Sequence, residues 1–160
     1  MKLILRLQLL PDATQSQSLR STVERFNQAA NYVAEIAFTR QTANVFDLRK
    51  LCYIEVRSSF GLSSQMAQLA IKAVSDVYKR DKSIQPVFRD HAAIVYDQRT
   101  MSFKGVNRVS LLTIDGRVVV PFMMGDYHAK RFANAKGQAD LVRHKDGKWF
   151  LLVTVEEPDG

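Results

Sequence analysis

Lys2-Leu3-Ile4-Leu5-Arg6-Leu7-Gln8-Leu9-Leu10-Pro11-Asp12 opens the chain with one strand and then stops it. Leucines at 3, 5, 7 and 9 alternate loosely with Lys2, Arg6 and Gln8, the two-residue period of a strand with one buried face. Pro11-Asp12 breaks the pattern. Pro11 or Asp12 opens a helix, with Gln15 placed three residues beyond Asp12 as a capping partner. A single strand cannot bury its apolar face alone, so the position of the next strands decides the architecture.

Those strands come late. Leu19, Val23, Phe26, Ala30, Val33 and Ala37 recur at steps of four and three, a long amphipathic stripe that faces other helices. Asp47 is expected to cap a second, shorter helix carrying Leu48, Leu51, Cys52 and Val56, with Gly61 at or just past its end. Ser63 or Ser64 caps a third, whose stripe is Met66, Leu69, Ala70, Ala73, Val74 and Val77. From about Ala92 the period changes to strands at 92–96, 101–103, 109–113, 117–121, 138–144 and 149–155. Asp115-Gly116 and Asp146-Gly147 mark hairpins, and 127–134 reads as a short helix or a loop. Six late strands plus the first are enough for a small barrel or sandwich, with the helices inserted after strand one.

Composition bounds the partners. The 160 residues are 46% hydrophobic, enough for a real core in one domain or two small lobes. No apolar run approaches a membrane span, Arg6 and Gln8 interrupt the N-terminal apolar stretch, and the single Cys52 excludes a disulfide framework. A cytoplasmic location and no membrane partner are therefore expected. The net charge is +7; residues 1–80 hold 11 Lys and Arg against 6 Asp and Glu, and residues 81–160 hold 12 against 10. Three of those ten acids crowd into the last five residues, so the body of the protein is basic throughout. Such a surface favours a polyanion through counterion release, although a soluble protein also tolerates it.

Motifs for chemistry are missing. His91, His128 and His144 show no metal-ligand spacing, Cys52 lies on an apolar helix face, and the glycines are scattered singly. Acids sit in turns (Asp97, Asp115, Asp146), at helix starts (Asp12, Asp47) or in the tail, not as the convergent set that two-metal cleavage needs. Binding residues remain. The third helix begins Ser63-Ser64-Gln65-Met66-Ala67-Gln68, and Lys72 follows one turn on. Helix N-termini attract phosphate, and glutamine pairs bidentately with adenine. A plain helix cap is the competing reading. Lys79, Arg80, Lys82, Phe88 and Arg89 then mix cations with an aromatic ring in an irregular segment, as RNA binding wants and as a solvated linker also shows.

The order of these blocks resembles the N-terminal part of TnpB (OrfB), the transposon-encoded RNA-guided nuclease family related to type V CRISPR effectors. The resemblance rests on the opening 2–11 with Thr14-Gln15-Ser16-Gln17 and Leu19, then Ser64–Gln68 with Ala70-Ile71 and Val77-Tyr78-Lys79. Pro86-Val87-Phe88-Arg89, Val95-Tyr96-Asp97, Ser102-Phe103-Lys104 and Asp146–Leu151 with Val155-Glu156-Glu157-Pro158 complete it. The blocks are individually loose and run in the family's order along nearly the whole chain.

The resemblance implies an α+β fold: a small antiparallel, wedge-like (OB-like) β-barrel from 1–10 plus 90–157, with a helical recognition lobe, 11–89, inserted. It implies a guide RNA partner held on Lys79, Arg80, Lys82, Phe88, Arg89, Lys104 and Arg108. It implies a DNA duplex with a short adjacent motif, read by Ser63, Ser64, Gln65, Gln68 and Lys72. No cofactor and no metal are expected. The family's RNase H-like nuclease domain would begin just past the strand that runs into Glu156-Glu157-Pro158-Asp159-Gly160, so this chain is expected to be the non-catalytic, recognition half, working with a separate nuclease domain or second subunit. A different class of function is a stand-alone recognition or protein-interaction module, left by decay of a transposon gene, whose apolar first helix docks on another chain. A full nuclease would require a metal site that these residues do not supply.

Overall fold

The computed structural model describes residues 1–132 and 135–157. The elements run β1 (Lys2–Leu9), α1 (Ala13–Arg40), α2 (Val45–Ser58), α3 (Ser64–Arg80), β2 (Ile94–Tyr96), β3 (Met101–Lys104), β4 (Arg108–Thr113), β5 (Gly116–Pro121), α4 (Asp126–Arg131), β6 (Ala135–Arg143) and β7 (Trp149–Glu156). They fall into two compact units, Met1–Leu19 with Ala93–Gly160, and Arg20–Ala92. Among the described residues no helix is long and apolar enough to cross a membrane.

The first unit holds two antiparallel sheets. One has the order β1-β7-β6-β2, the other β3-β4-β5. β1 pairs with β7 along its whole length, from Lys2↔Glu156 to Leu9↔Trp149. Leu5, Leu7 and Leu9 therefore point to the same face as Leu151, Val153 and Val155, and all six are buried, while Lys2, Ile4 and Arg6 remain exposed. Buried Trp149 donates its indole N–H to Ser16 Oγ at 3.0 Å. Buried Tyr96 of β2 donates its hydroxyl to the carbonyl of Leu112 in β4 at 2.8 Å, a direct tie between the two sheets. Asp12 and Gln15 exchange hydrogen bonds at the start of α1 (Asp12 N–H to Oε1, 3.1 Å; Gln15 N–H to Oδ1, 2.7 Å), the reciprocal cap that the sequence suggests.

The expected barrel does not form. Closure requires every strand to have two ladders, and β1, β2, β3 and β5 each have one. Among the described residues the second edge of β1 meets the β5 end at the single bridge Leu9↔Phe122, flanked by Leu10 N–H to Pro121 O and Met123 N–H to Gln8 O. Pro121, at the end of β5, offers no N–H to extend that contact. β2 and β3, of three and four residues, are too short to carry the missing ladders. The wedge-like, OB-like barrel is thus replaced by two open sheets.

The second unit is helical. Val23, Phe26, Ala30, Val33 and Ala37 of α1 are buried, as their spacing predicts, and so are Ala29 and Ala34 between them. The cap of α2 is Asn44 rather than Asp47; its side-chain oxygen accepts from Phe46 N–H and Asp47 N–H. Leu48, Cys52 and Val56 are buried, whereas Leu51 is exposed. The buried face of α3 is Met66, Ala67, Ala70, Ile71, Val74, Ser75 and Tyr78, so the expected stripe is rotated: Leu69 and Ala73 are half-buried and Val77 is exposed. Ser75 pays for its place in that face by donating to the Ala43 carbonyl at 2.6 Å.

Among the described residues the stretch after α3 has no sheet partner, and two asparagines one turn apart on α1 stand in for one. Asn31 Nδ2 donates to the Phe88 carbonyl (2.8 Å) while its Oδ1 accepts from Phe88 N–H (2.7 Å). Asn27 Nδ2 donates to the carbonyls of Asp90 and Ala92. Each would otherwise be a backbone group needing water or a ladder. Asn31→Ala should destabilise the protein by about 1–3 kcal/mol in urea titration, because it strands both partly buried groups of Phe88. Amide exchange should rise most at Phe88; an unchanged Phe88 exchange rate would show that the side chain does not hold this segment.

Candidate nucleic-acid interface

The residues nominated on α3 do not act alike. Ser63 is the helix cap, its hydroxyl accepting from Met66 N–H at 3.3 Å, so its side chain is committed to the fold. Half-buried Gln65 already makes an interaction within the protein. Exposed Lys72 is paired with Asp76 one turn on, at 3.0 and 3.1 Å, so a phosphate would have to compete with that carboxylate. Ser64 and Gln68 are different. Gln68 Nε2 lies 3.5 Å from Ser64 Oγ, a loose contact, and Ser64 Oγ accepts from the Tyr53 hydroxyl of α2 at 2.7 Å.

Tyr53 and Gln68, the two residues in contact with Ser64, also share a cleft. Arg49, Lys50 and Tyr53 from α2 and Gln68 from α3 line a cleft of about 320 Å³. Helical spacing explains the grouping: Arg49 and Tyr53, one turn apart, border the buried Leu48, Cys52 and Val56 face of α2 and are themselves half-buried, and exposed Lys50 lies further round the helix. Arg49 Nε is buried without a hydrogen-bond partner among the described residues, and its guanidinium lies over the Phe46 ring at 5.6 Å. The cleft therefore offers two cations, a phenol and an amide with both donor and acceptor. That set suits a phosphate beside a base edge. Arg49, Lys50 and Tyr53 escape a reading of the sequence because they sit on a helix that shows only its apolar stripe; the signal was the pair of cations beside an aromatic residue.

The nominated RNA contacts are spread over both units. In the second unit Lys79 and Arg80 are exposed at the end of α3, and Lys82 and Arg89 are exposed beyond it. Phe88 is half-buried and tied by its backbone to Asn31, so part of its role is structural. In the first unit Lys104 and Arg108 face each other across the β3–β4 hairpin as a directly opposed pair.

Groups with chemical potential are otherwise quiet. Burial pushes the Cys52 thiol up to about 11, which keeps it protonated at neutral pH. No cluster of three or more His, Cys, Asp or Glu is placed to hold a metal among the described residues. Asp140 lies within strand β6 between Ala139 and Leu141, so not every acid sits in a turn, a helix start or the tail, and desolvation raises its pKa. The tail acid Asp159 lies outside the described residues.

Tyr53 offers a handle on the cleft. When Tyr53 ionises, the Ser64 hydroxyl can turn to donate to the phenolate, and that contact, with Arg57 secondary, lowers the Tyr53 pKa, while burial raises those of Tyr32 and Tyr96. Removing the Ser64 hydroxyl withdraws support from the charged form, so Ser64→Ala should move the Tyr53 titration upward. A pH titration of ring-labelled tyrosines by NMR checks this; Tyr53 should titrate ahead of Tyr32 and Tyr96 in the parent protein, and an order unaltered by the substitution would remove the Ser64 contact from the account. The chain matches no protein-family model, and no curated protein matches it significantly.

Proposed function

We propose that this chain binds nucleic acid: that it holds a guide RNA scaffold and recognises a short motif in an adjacent DNA duplex, as the non-catalytic part of a TnpB-like RNA-guided nuclease. The cleft between α2 and α3 is the observation that carries this reading. Arg49 and Lys50 there supply sequence-independent attraction to phosphate, and Gln68 supplies a directional amide beside them. Its Ser64 tether is loose enough to yield to a base edge. The basic surplus of the chain and the exposed Lys79, Arg80, Lys82 and Arg89 supply the longer-range attraction that a structured RNA needs. The nuclease activity itself would come from a separate domain or subunit.

One observation favours the protein-interaction alternative, in altered form. The apolar stripe of α1 is buried within the chain and is not available to dock. On α2, however, Phe46 is 65% and Ile54 is 79% exposed. An interface there would be held by apolar burial and would be nearly indifferent to salt, whereas nucleic-acid binding weakens steeply with it.

Fluorescence anisotropy against a library of duplexes, repeated over a salt series, tests the assignment. Arg49→Gln should weaken binding to all sequences about equally. Gln68→Ala should leave weak sequences unaffected and cut discrimination at one position by about 1–3 kcal/mol. If Gln68→Ala shifts every sequence alike, Gln68 is not a base reader; if no salt-dependent binding exists, the nucleic-acid reading itself is wrong. Gln65→Ala should have the smaller effect of the two glutamines, since Gln65 is already engaged.

A further inference from the structure

The β3–β4 hairpin carries an arrangement that folding alone does not favour. Lys104 and Arg108 are directly opposite each other in the ladder, and both are exposed. Like charges opposed across strands destabilise a hairpin. Neither has a carboxylate partner among the described residues. Between them the turn Gly105-Val106-Asn107 lifts Val106 into solvent, 79% exposed, where turn chemistry would ordinarily place a polar residue. Gly105 has φ +65°, so the turn depends on glycine there, with open space around it.

The tip is exposed yet firmly held. The Asn107 carbonyl accepts from Phe122 N–H at 2.9 Å. Phe103, one residue before Lys104, meets Phe132 edge-on with ring centres 4.5 Å apart and Phe122 at 6.0 Å. Opposite Phe103, Val109 is buried. Two cations and an apolar tip are thus presented on a stiff support, which lowers the ordering cost of binding.

We propose that this hairpin is a finger for the end of an RNA helix: Lys104 and Arg108 engage neighbouring phosphates of one strand, and Val106 packs on the open face of the terminal base pair. The proposal rests on the nucleic-acid reading above and adds to it where and how the first unit takes part. Charge complementarity selects a polyanion. The apolar tip selects an end or junction, because a continuous duplex exposes no base face without unstacking, and RNA is recognised largely at loops, bulges and ends. An anionic lipid surface would also attract two cations, but one valine offers far less apolar area than a single acyl chain, itself only a marginal anchor.

The test uses the full chain and a blunt-ended RNA hairpin with 2-aminopurine in its terminal pair. Binding of the parent protein should change the 2-aminopurine fluorescence. Val106→Ser should abolish that change while leaving the salt dependence of affinity as it was. Lys104→Gln with Arg108→Gln should lower the slope of log affinity against log salt by about two. All three positions are exposed, so Val106→Ser should leave the thermal melt unchanged, and the double substitution, which relieves the opposed charges, should not lower it. If RNA binds with steep salt dependence but the hairpin variants behave as the parent does, the finger is overturned and the nucleic-acid reading stands. If the parent shows no salt-dependent binding, both fall. Co-sedimentation with vesicles of equal parts phosphatidylserine and phosphatidylcholine, lost on Val106→Ser while the RNA signal is unmoved, would overturn the finger in favour of a membrane contact.

Discussion

The β1–β7 ladder is the interaction on which the rest depends. It pairs Lys2 with Glu156 and Leu9 with Trp149, residues close to opposite ends of the described chain. Closing so long a loop costs on the order of 4 kcal/mol in chain entropy beyond a constant term, because the cost grows only with the logarithm of loop length. Leu5, Leu7, Leu9, Leu151, Val153 and Val155 become buried on one face, and each side chain gains about 1.5–3 kcal/mol from leaving water. Burial of this face outweighs the loop-closure term, and the remainder of the core offsets the further entropy of ordering the two strands. Once the two strands have paired, everything between Leu9 and Trp149 must leave this ladder and return to it. The helical unit is one such excursion, begun by the Asp12–Gln15 cap and ended where Asn27 and Asn31 grip the returning backbone.

What a reader of the sequence can recover is set by how local the cause is. The Asp12–Gln15 cap, the α1 stripe and the hairpins at Asp115-Gly116 and Asp146-Gly147 are written within a few residues each, and the structure has them. The start of α2 is misread because Asp47 and Asn44 are both good caps, and only the backbone conformation at Asn44, with φ −73° and ψ 120°, selects between them. The α3 stripe is misread by part of a turn because alanines count equally on either side of it; the larger Ile71 and Tyr78 define the buried face. The barrel fails for a different reason. Counting strands says nothing about which edges meet, and edge pairing is decided by strands of three and four residues and by one proline. The cleft, likewise, depends on how α2 packs on α3, where the Tyr53 hydroxyl reaches Ser64 Oγ, a contact between helices that no spacing within either one encodes.

The basic surplus looks uniform along the chain, yet its cations differ in what they can do. Lys72 is matched by Asp76, and Arg20 by Glu24, each one turn away on an exposed helix face. Such pairs contribute little to stability, but they compensate the charge locally. Arg6 is also engaged: it lies over the Phe150 ring at 3.9 Å and contacts His144 Nε2 at 2.9 Å. Arg49 and Lys50 in the cleft, and Lys104 and Arg108 on the hairpin, form no ion pair among the described residues. Net charge therefore overstates the number of cations free to attract a ligand, and position identifies them better than composition does.

This distinction bears on how a protein with few polar specialists can still be selective. A cation compensated at home must break a contact before it can bind a phosphate, so it adds little net attraction. An uncompensated cation opposite another of the same sign begins from a raised energy, and an arriving anion relieves it. The fold can keep such a pair only where nearby packing absorbs the cost: the Phe103, Phe122 and Phe132 cluster behind the hairpin, and the buried faces of α2 and α3 beneath the cleft. Both places join rigid apolar support to unmatched positive charge, and both add one group that is not merely electrostatic, Val106 in one and Gln68 in the other. Charge would bring a polyanion to either place; the valine and the glutamine would decide which part of it stays.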